Sequence, residues 1–214
     1  IFIPFYNLGR YLPGTLASVD AQTFRDFELI LINDGSTDAA SLELLEQLSR
    51  SRPDIRIIHQ PNRGLSATRN RAIQEARAPL MLPLDADDLI APTLLEKAAA
   101  LLRAHPELTY VSPMVSYFVE APGDRRSGWI PLGPDRDLLA AFNCGGAASG
   151  SLIRRDHAQE AGGYDTWLTS YEDWDFWCRL AKAGRRGTVI PEFLLHYRVR
   201  PDSMYRTIAT SRNH

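Results

Sequence analysis

The chain has 214 residues, 24 Lys and Arg against 26 Asp and Glu, a formal charge of −2 and 44% apolar residues. That length suits one sizeable core, and the near balance of charge argues against nucleic acid or an anionic membrane surface as a partner. No apolar run reaches the length of a membrane span and no signal peptide is visible. Two cysteines, Cys144 and Cys178, form neither a C-x-x-C pair nor a disulfide framework, so a reducing, cytoplasmic compartment is expected. The chain opens at Ile1, without Met and inside a strand-like run, and is expected to be one domain of something longer.

The first half alternates strand-like and helix-like segments. Ile1 to Pro4 reads as a strand, and Tyr11 to Gln22 as a helix with Pro13 in its first turn. Phe27 to Ile32 is an apolar run. Asp38 to Arg50 places Leu42, Leu45 and Leu48 on one helical stripe. Ile55 to His59 is a third strand, and Gly64 to Arg77 a helix with Leu65, Ala72, Ile73 and Ala76 inward. Leu80 to Leu84 is a fourth, buried strand. Pro92 to Ala104 is a helix with Leu94, Leu95, Ala98, Leu101 and Leu102 on its apolar face. Such alternation predicts an α/β fold with a mostly parallel central sheet and helices on both faces. Ligands bind beyond the carboxyl ends of such strands, so Tyr6-Asn7, Asn33-Asp34-Gly35-Ser36 and Asp85-Ala86-Asp87 are expected to line one crevice.

The second half is less regular. Thr109 to Val119 is strand-rich, and Ala121 to Pro134 reads as an exposed loop. Ser151 to Arg154 is a short strand. Ser170 to Ala183 is a helix with Trp174, Trp177, Cys178 and Ala181 on one face, closed by Gly184. Gly187 to Pro191 and Leu194 to Val199 are closing strands. The expected organisation is a single domain over 1–214, with a nucleotide-binding half at 1–104 and an acceptor-binding half at 105–214.

Asp85, Asp87 and Asp88 put three carboxylates within four residues at the end of a buried strand. Burial and like charge both oppose ionisation there, so a positive partner is expected. In extended chain Asp85 and Asp87 leave on one side, and hard oxygens of this kind suit Mg²⁺ or Mn²⁺ sharing a shell with phosphate. The bland reading is that Asp87 or Asp88 caps the helix opened by Pro92.

Ile3-Pro4-Phe5-Tyr6-Asn7, Asn33-Asp34-Gly35-Ser36-Thr37-Asp38, Asn62-Arg63-Gly64-Leu65-Ser66-Ala67-Thr68-Arg69-Asn70 and Leu84-Asp85-Ala86-Asp87-Asp88 stand in register with Gly162-Gly163-Tyr164-Asp165, Glu172-Asp173-Trp174 and Tyr197-Arg198-Val199-Arg200. Together they resemble family 2 glycosyltransferases over nearly the whole chain. The resemblance implies a GT-A-type, Rossmann-like sandwich, a nucleotide-diphosphate sugar donor with UDP the commonest carrier, a divalent metal (Mn²⁺ or Mg²⁺), and inverting transfer to an acceptor hydroxyl. Carried over by motif, Pro4, Tyr6 and Asp34 lie around the nucleobase and ribose, and Arg69 is a base or phosphate contact. Asp85 and Ala86 touch the nucleotide sugar, and Asp87 with Asp85 serves the metal. Asp173 matches the general base, with Glu172 as the fallback.

Asp173 has a structural rival role, because Ser170-x-x-Asp173 fits a capping box. Trp167 and Tyr171, on the loop before the helix, suit an acceptor wall, while Trp174 and Trp177 suit the core. Arg200 stands where many family members place a metal-binding His, and an Arg there suits the diphosphate instead. His196 reads as structural, and Cys144 to Gly150 is a glycine-rich loop that matches no phosphate-binding pattern. A glycan, a lipid carrier or another hydroxyl compound is the expected acceptor, with peripheral membrane association left open by the lipid case. The rival readings are a module that binds nucleotide sugar or glycan without turnover, and a sugar nucleotidyltransferase. The second lacks a Gly-rich phosphate loop after the first strand.

Overall fold

The computed structural model describes residues 1–120 and 127–201. Three parallel strands, β1 (Phe2–Phe5), β2 (Leu29–Asp34) and β3 (Ile55–Gln60), form one sheet in the order β1-β2-β3. Helices α1 (Leu12–Asp20), α2 (Ala39–Ser51) and α3 (Leu65–Glu75) connect them and lead onward. A second, mixed sheet runs β4-β8-β6-β9-β5, with β7 on β6. Its strands are β4 (Leu80–Met81), β5 (Leu89–Ile90), β6 (Leu108–Phe118), β7 (Ser127–Trp129), β8 (Leu152–Arg154) and β9 (Arg186–Arg198). Helices α4 (Leu94–Ala104), α5 (Arg136–Ala141), α6 (Arg155–Glu160) and α7 (Glu172–Lys182) complete the described residues.

The alternation along β2 explains the layers. Leu29 and Leu31 join one core with Leu12, Leu16, Leu45, Leu94 and Ala98, whereas Ile30 and Ile32 join another with Ala72, Ile73, Phe176 and Trp177. A strand buried on both faces reads as continuous apolar sequence, and helices cover it on both sides.

Several expectations need correction. The run Leu80 to Leu84 is paired as β4 only over Leu80–Met81. Leu82 O then accepts from Phe2 N (3.0 Å) and Leu84 N donates to Phe2 O (3.0 Å), so the chain changes sheets in mid-run and lies against β1. Pro83 permits this because it has no N–H to satisfy, and its carbonyl accepts from Gly150 N at 2.7 Å. Part of the expected loop at 121–134 is strand, since β7 pairs antiparallel with β6; Ala121 to Arg126 lie outside the described residues. The two expected closing strands are one, β9, whose register against β6 shifts between Pro113 and Met114 rather than breaking at Pro191. Leu42 is exposed while Leu45 and Leu48 are buried. Helices α5 and α6 have no counterpart in the sequence reading; both are six residues long and too short for a periodic stripe.

Candidate functional site

Asp34 ends β2, and its carboxylate is tied to the start of α3. Oδ1 accepts from Arg63 N (2.9 Å) and Gln60 Nε2 (2.8 Å), and Oδ2 accepts from Gly64 N (2.8 Å). Gly35 follows with φ +71, and a Cβ there would sit 2.6 Å from Asn62 N, so the turn needs glycine for both conformation and space. Asn7, after β1, is knitted to the same rim: Oδ1 accepts from Thr37 N at 2.8 Å, and its own N–H donates to Ser36 Oγ at 3.0 Å. Pro4 is buried in β1 and Tyr6 is exposed beside Asn7. These two strand ends and the start of α3 therefore share one edge of the sheet.

The acidic stretch is a turn, not extended chain. Asp88 N donates to Asp85 O at 3.0 Å, so the expectation that Asp85 and Asp87 leave one side of a strand does not hold. Neither Asp87 nor Asp88 caps a helix, because α4 begins two residues beyond Pro92 with Thr93 at its N-cap and no side-chain cap bond. Ala86 is fully buried, and its carbonyl accepts from Thr15 Oγ1 at 2.9 Å. Each carboxylate has a distinct partner. Asp85 Oδ1 accepts from Arg69 (3.1 Å), Asp87 Oδ2 from Arg200 Nε (2.6 Å), and Asp88 Oδ1 from Arg198 N (3.0 Å). Burial, then the Asp85 charge, pushes the Asp87 carboxyl up despite Arg200. Burial, then Asp87 and Asp85, holds Asp88 well above the ordinary carboxylate range.

Arg69 lies in the second turn of α3 and is 1% exposed. Besides Asp85 it donates to Glu172 Oε1 at 2.7 Å, and its guanidinium carbon sits 5.2 Å from the centre of the Tyr164 ring. Arg69, expected as a base or phosphate contact, has its guanidinium on two carboxylates. Glu172 opens α7 and is buried. Asp173 follows and caps nothing: the N-cap position is Tyr171, in the left-handed region at φ 61, without a side-chain cap bond. Asp173 Oδ2 instead accepts from Asn143 Nδ2 at 2.8 Å.

A cavity of about 1000 Å³ opens beside Asp85, Glu172 and Asp173; Pro4, Tyr6, Asp34, Asp87 and Arg200 are not among its lining residues. Leu65, Arg69, Asp85, Ser149, Glu172 and Asp173 line it, with Tyr171, Trp174, Tyr117 and Tyr197 as aromatic wall. Tyr171, expected in an acceptor wall, is one of the lining residues. Trp167, 92% exposed, is not among the lining residues. Trp177 is in the core as expected, and Trp174 is half-buried with Nε1 donating to Leu139 O at 2.8 Å. The glycine-rich loop has a packing reason. A Cβ on Gly145 would meet Trp177 Cβ at 2.7 Å, and Ser149 Oγ at the loop's end accepts from Asp85 N at 3.1 Å. His196 is held by Ser116 Oγ at 2.7 Å. Asn143, Ser149 and Tyr117 were missed by the sequence reading. Only Ser149 had a signal, its place at the end of a glycine-rich turn.

Among the described residues no group of three His, Cys, Asp or Glu side chains meets in a way that could hold a metal. Asp85 and Asp87, two residues apart in the acidic turn, offer hard oxygens, with Asp85 lining the cavity; such a pair suits an ion completing its shell from water and a ligand's phosphates.

Comparison with known proteins agrees with this geometry. The family described as glycosyl transferase family 2 matches residues 1–162. A putative glycosyltransferase of Bacillus subtilis, EpsE, is 30% identical over 209 residues, covering 95% of this chain and 73% of EpsE. An uncharacterised glycosyltransferase of Escherichia coli, YibD, is 40% identical over 96 residues, but this chain spans only 45% of itself and 28% of YibD in that match. Among solved structures, TarS residues 1–349 of S. aureus in complex with UDP-GlcNAc superposes with TM-score 0.77 at 20% identity, over 95% of this chain and 59% of that one. A mannosyltransferase from Pyrobaculum calidifontis in complex with GDP-Man and Mn²⁺ gives 0.72 at 18%, over 100% and 63%. At such identities these two likenesses speak for the fold, the expected GT-A arrangement. With carboxylates, turns and cavity placed as described and the family matched over most of its length, the chain belongs to glycosyl transferase family 2.

Proposed function

We propose that the chain transfers a sugar, with inversion, from a nucleotide-diphosphate sugar to an acceptor hydroxyl. The observation that carries this reading is one cavity lined by Asp85 from the acidic turn and by Asp173 from α7. Asp34, at the rim beside α3, takes the nucleobase; among the described residues its Oδ2 accepts a single bond and keeps acceptor capacity. Pro4 and Tyr6 flank it. Asp87, with Asp85, holds Mn²⁺ or Mg²⁺, and the bound ion supplies Lewis-acid charge to the diphosphate leaving group. Arg200, which donates to Asp87 Oδ2, offers the same phosphates a second positive group. Asp173, oriented by Asn143, accepts the proton of the attacking hydroxyl on the face opposite the leaving group. The cavity's aromatic wall suits the C–H faces of a sugar, favouring a glycan or glycosylated acceptor. No helix of the described residues is long and apolar enough to cross a membrane; cytoplasmic action, with peripheral contact to a membrane's inner face if the acceptor is lipid-linked, belongs to the same reading.

The test mixes the protein with Mn²⁺ and, separately, UDP-GlcNAc, UDP-glucose, UDP-galactose and GDP-mannose, and measures free nucleoside diphosphate. Release with one donor, lost in Asp173→Asn while donor binding persists, is the expected result. Tight donor binding with no release from any donor would support the non-catalytic module instead.

A further inference from the structure

We infer that Arg69 is a positioning residue shared by both sides of the reaction: one guanidinium holds Asp85 on the donor side and, through Glu172, the first turn of the helix that carries Asp173. The inference rests on the assignment of Asp173 as base and adds the means by which that base is placed.

Three observations carry it. Arg69 and Glu172 are 103 residues apart in sequence, yet their side chains meet at 2.7 Å with 1% and 7% exposure, while Asp85 meets the other terminal nitrogen at 3.1 Å. A buried ion pair contributes little net stability compared with well-packed apolar residues, so such a triad is poorly explained by folding alone. The start of α7 also lacks the usual devices. Its N-cap residue, Tyr171, is a non-glycine residue at φ 61 with no side-chain cap bond, and Ser170 supplies none. The bond that Arg69 donates to Glu172 ties this helix end to α3. Asp173 is the next residue, with Asn143 holding its Oδ2 at 2.8 Å.

Arg69 is not free to move as a unit away from either partner. Its guanidinium lies against the Tyr164 ring, whose stacking on Phe176 (4.6 Å between centroids) belongs to the core of α7. The buried Arg69 Nε has no partner among the described residues, so the side chain is held by its two terminal nitrogens and the ring. A shift of the acidic turn on donor binding therefore bears on the same cation that anchors the base-bearing helix.

The test uses Glu172→Gln, Glu172→Ala, Arg69→Lys, Arg69→Met and Asp173→Asn. The substrate is whichever nucleotide sugar of the panel above the wild-type protein cleaves, with Mn²⁺ present. Folding is checked by thermal melting, donor affinity by calorimetry, and kcat by nucleoside diphosphate release. Glu172→Gln keeps an oxygen for Arg69 and is expected to hold kcat within about threefold. Glu172→Ala is expected to lose roughly tenfold or more in kcat, with donor affinity within about threefold. Arg69→Met is expected to lose roughly tenfold or more in kcat. Arg69→Lys, which keeps the charge but not the fork, is expected to fall between wild type and Arg69→Met. Equal kcat in Glu172→Ala and Glu172→Gln overturns the inference, as does folded Arg69→Met with wild-type kcat, or a loss found entirely in donor affinity. Should Arg69→Met fail to fold, the two Glu172 variants decide. Full turnover in Asp173→Asn removes the base assignment and this inference with it; an inactive Asp173→Asn beside a wild-type-like Glu172→Ala sinks the inference alone.

Discussion

Replacing Arg200 by Gln should destabilise the metal-free protein more than replacing its partner Asp87 by Asn. The two side chains meet at 2.6 Å with 14% and 12% exposure. A hydrogen bond to a charged group contributes about 1.5–3 kcal/mol, and breaking a buried pair from one side costs about 3–5 kcal/mol when the remaining charge is stranded. The two substitutions strand different charges. Without Arg200, Asp87 stays beside Asp85 and the buried Asp88, in surroundings that already push its carboxyl up. It avoids the full penalty by taking up a proton, which brings the expected loss to about 2 kcal/mol near pH 7.5. For a chain of this size that is a fall in Tm of about 4–8 °C. Without the Asp87 charge, the repulsion from Asp85 disappears along with the pair, and a fall of less than about half that is expected. Thermal melting in EDTA at fixed pH, with the double variant to close the cycle, measures both. A larger loss in Asp87→Asn than in Arg200→Gln would refute the claim that this turn carries an excess of negative charge that an added cation relieves.

Three further outcomes are expected. Gly145→Ala would bring a methyl to 2.7 Å from Trp177 Cβ and should cost about 1–3 kcal/mol by overpacking, read as a lower urea midpoint with unchanged slope. Thr15→Val removes the donor to the buried Ala86 carbonyl and should cost about 1–3 kcal/mol, measured by the same titration; a neutral result would mean that the acidic turn is held by other bonds. Burial, then the Arg185 charge, lowers the His157 pKa from its ordinary 6.5, so the folded state resists a proton that the unfolded chain accepts. The stability this group contributes is complete above that value and falls as pH drops through it. His157→Gln should accordingly flatten stability between pH 7 and pH 5 without removing the acid unfolding due to carboxylates.

The first half of the fold was legible because β1, β2, β3 and the helices between them depend on local pattern. Short apolar-rich runs ending in polar turns mean strands of a parallel sheet, and the structure has them within a residue or two, β1 and β2 buried and β3 half-buried. The acidic turn was found as a cluster of charge but not as a shape. Whether Asp85 and Asp87 leave one side of a strand depends on pairing with Phe2, some eighty residues away, and on Pro83 carrying no N–H. Arg69 was singled out by motif, but its pairing with Glu172 was not legible, since nothing local to α3 reveals that Glu172 lies against it. Asn143 left no trace in the sequence, because one amide before a glycine-rich turn resembles any loop residue. The capping-box reading of Ser170 and Asp173 failed for a conformational reason: a left-handed Tyr171 stands between them and takes the N-cap position itself.

The change of sheets at Leu82–Leu84 governs the order in which the molecule can be completed. The three-stranded sheet closes on itself from the first sixty residues. By contrast, β4 waits for β8, β5 for β9, and the backbone N–H that binds Asp88 belongs to Arg198. On a ribosome, the early portion therefore emerges able to condense while its acidic corner still has open edges. Asp88 gains its backbone donor only when β9 arrives, so a chain cut before β9 leaves that buried carboxylate without it.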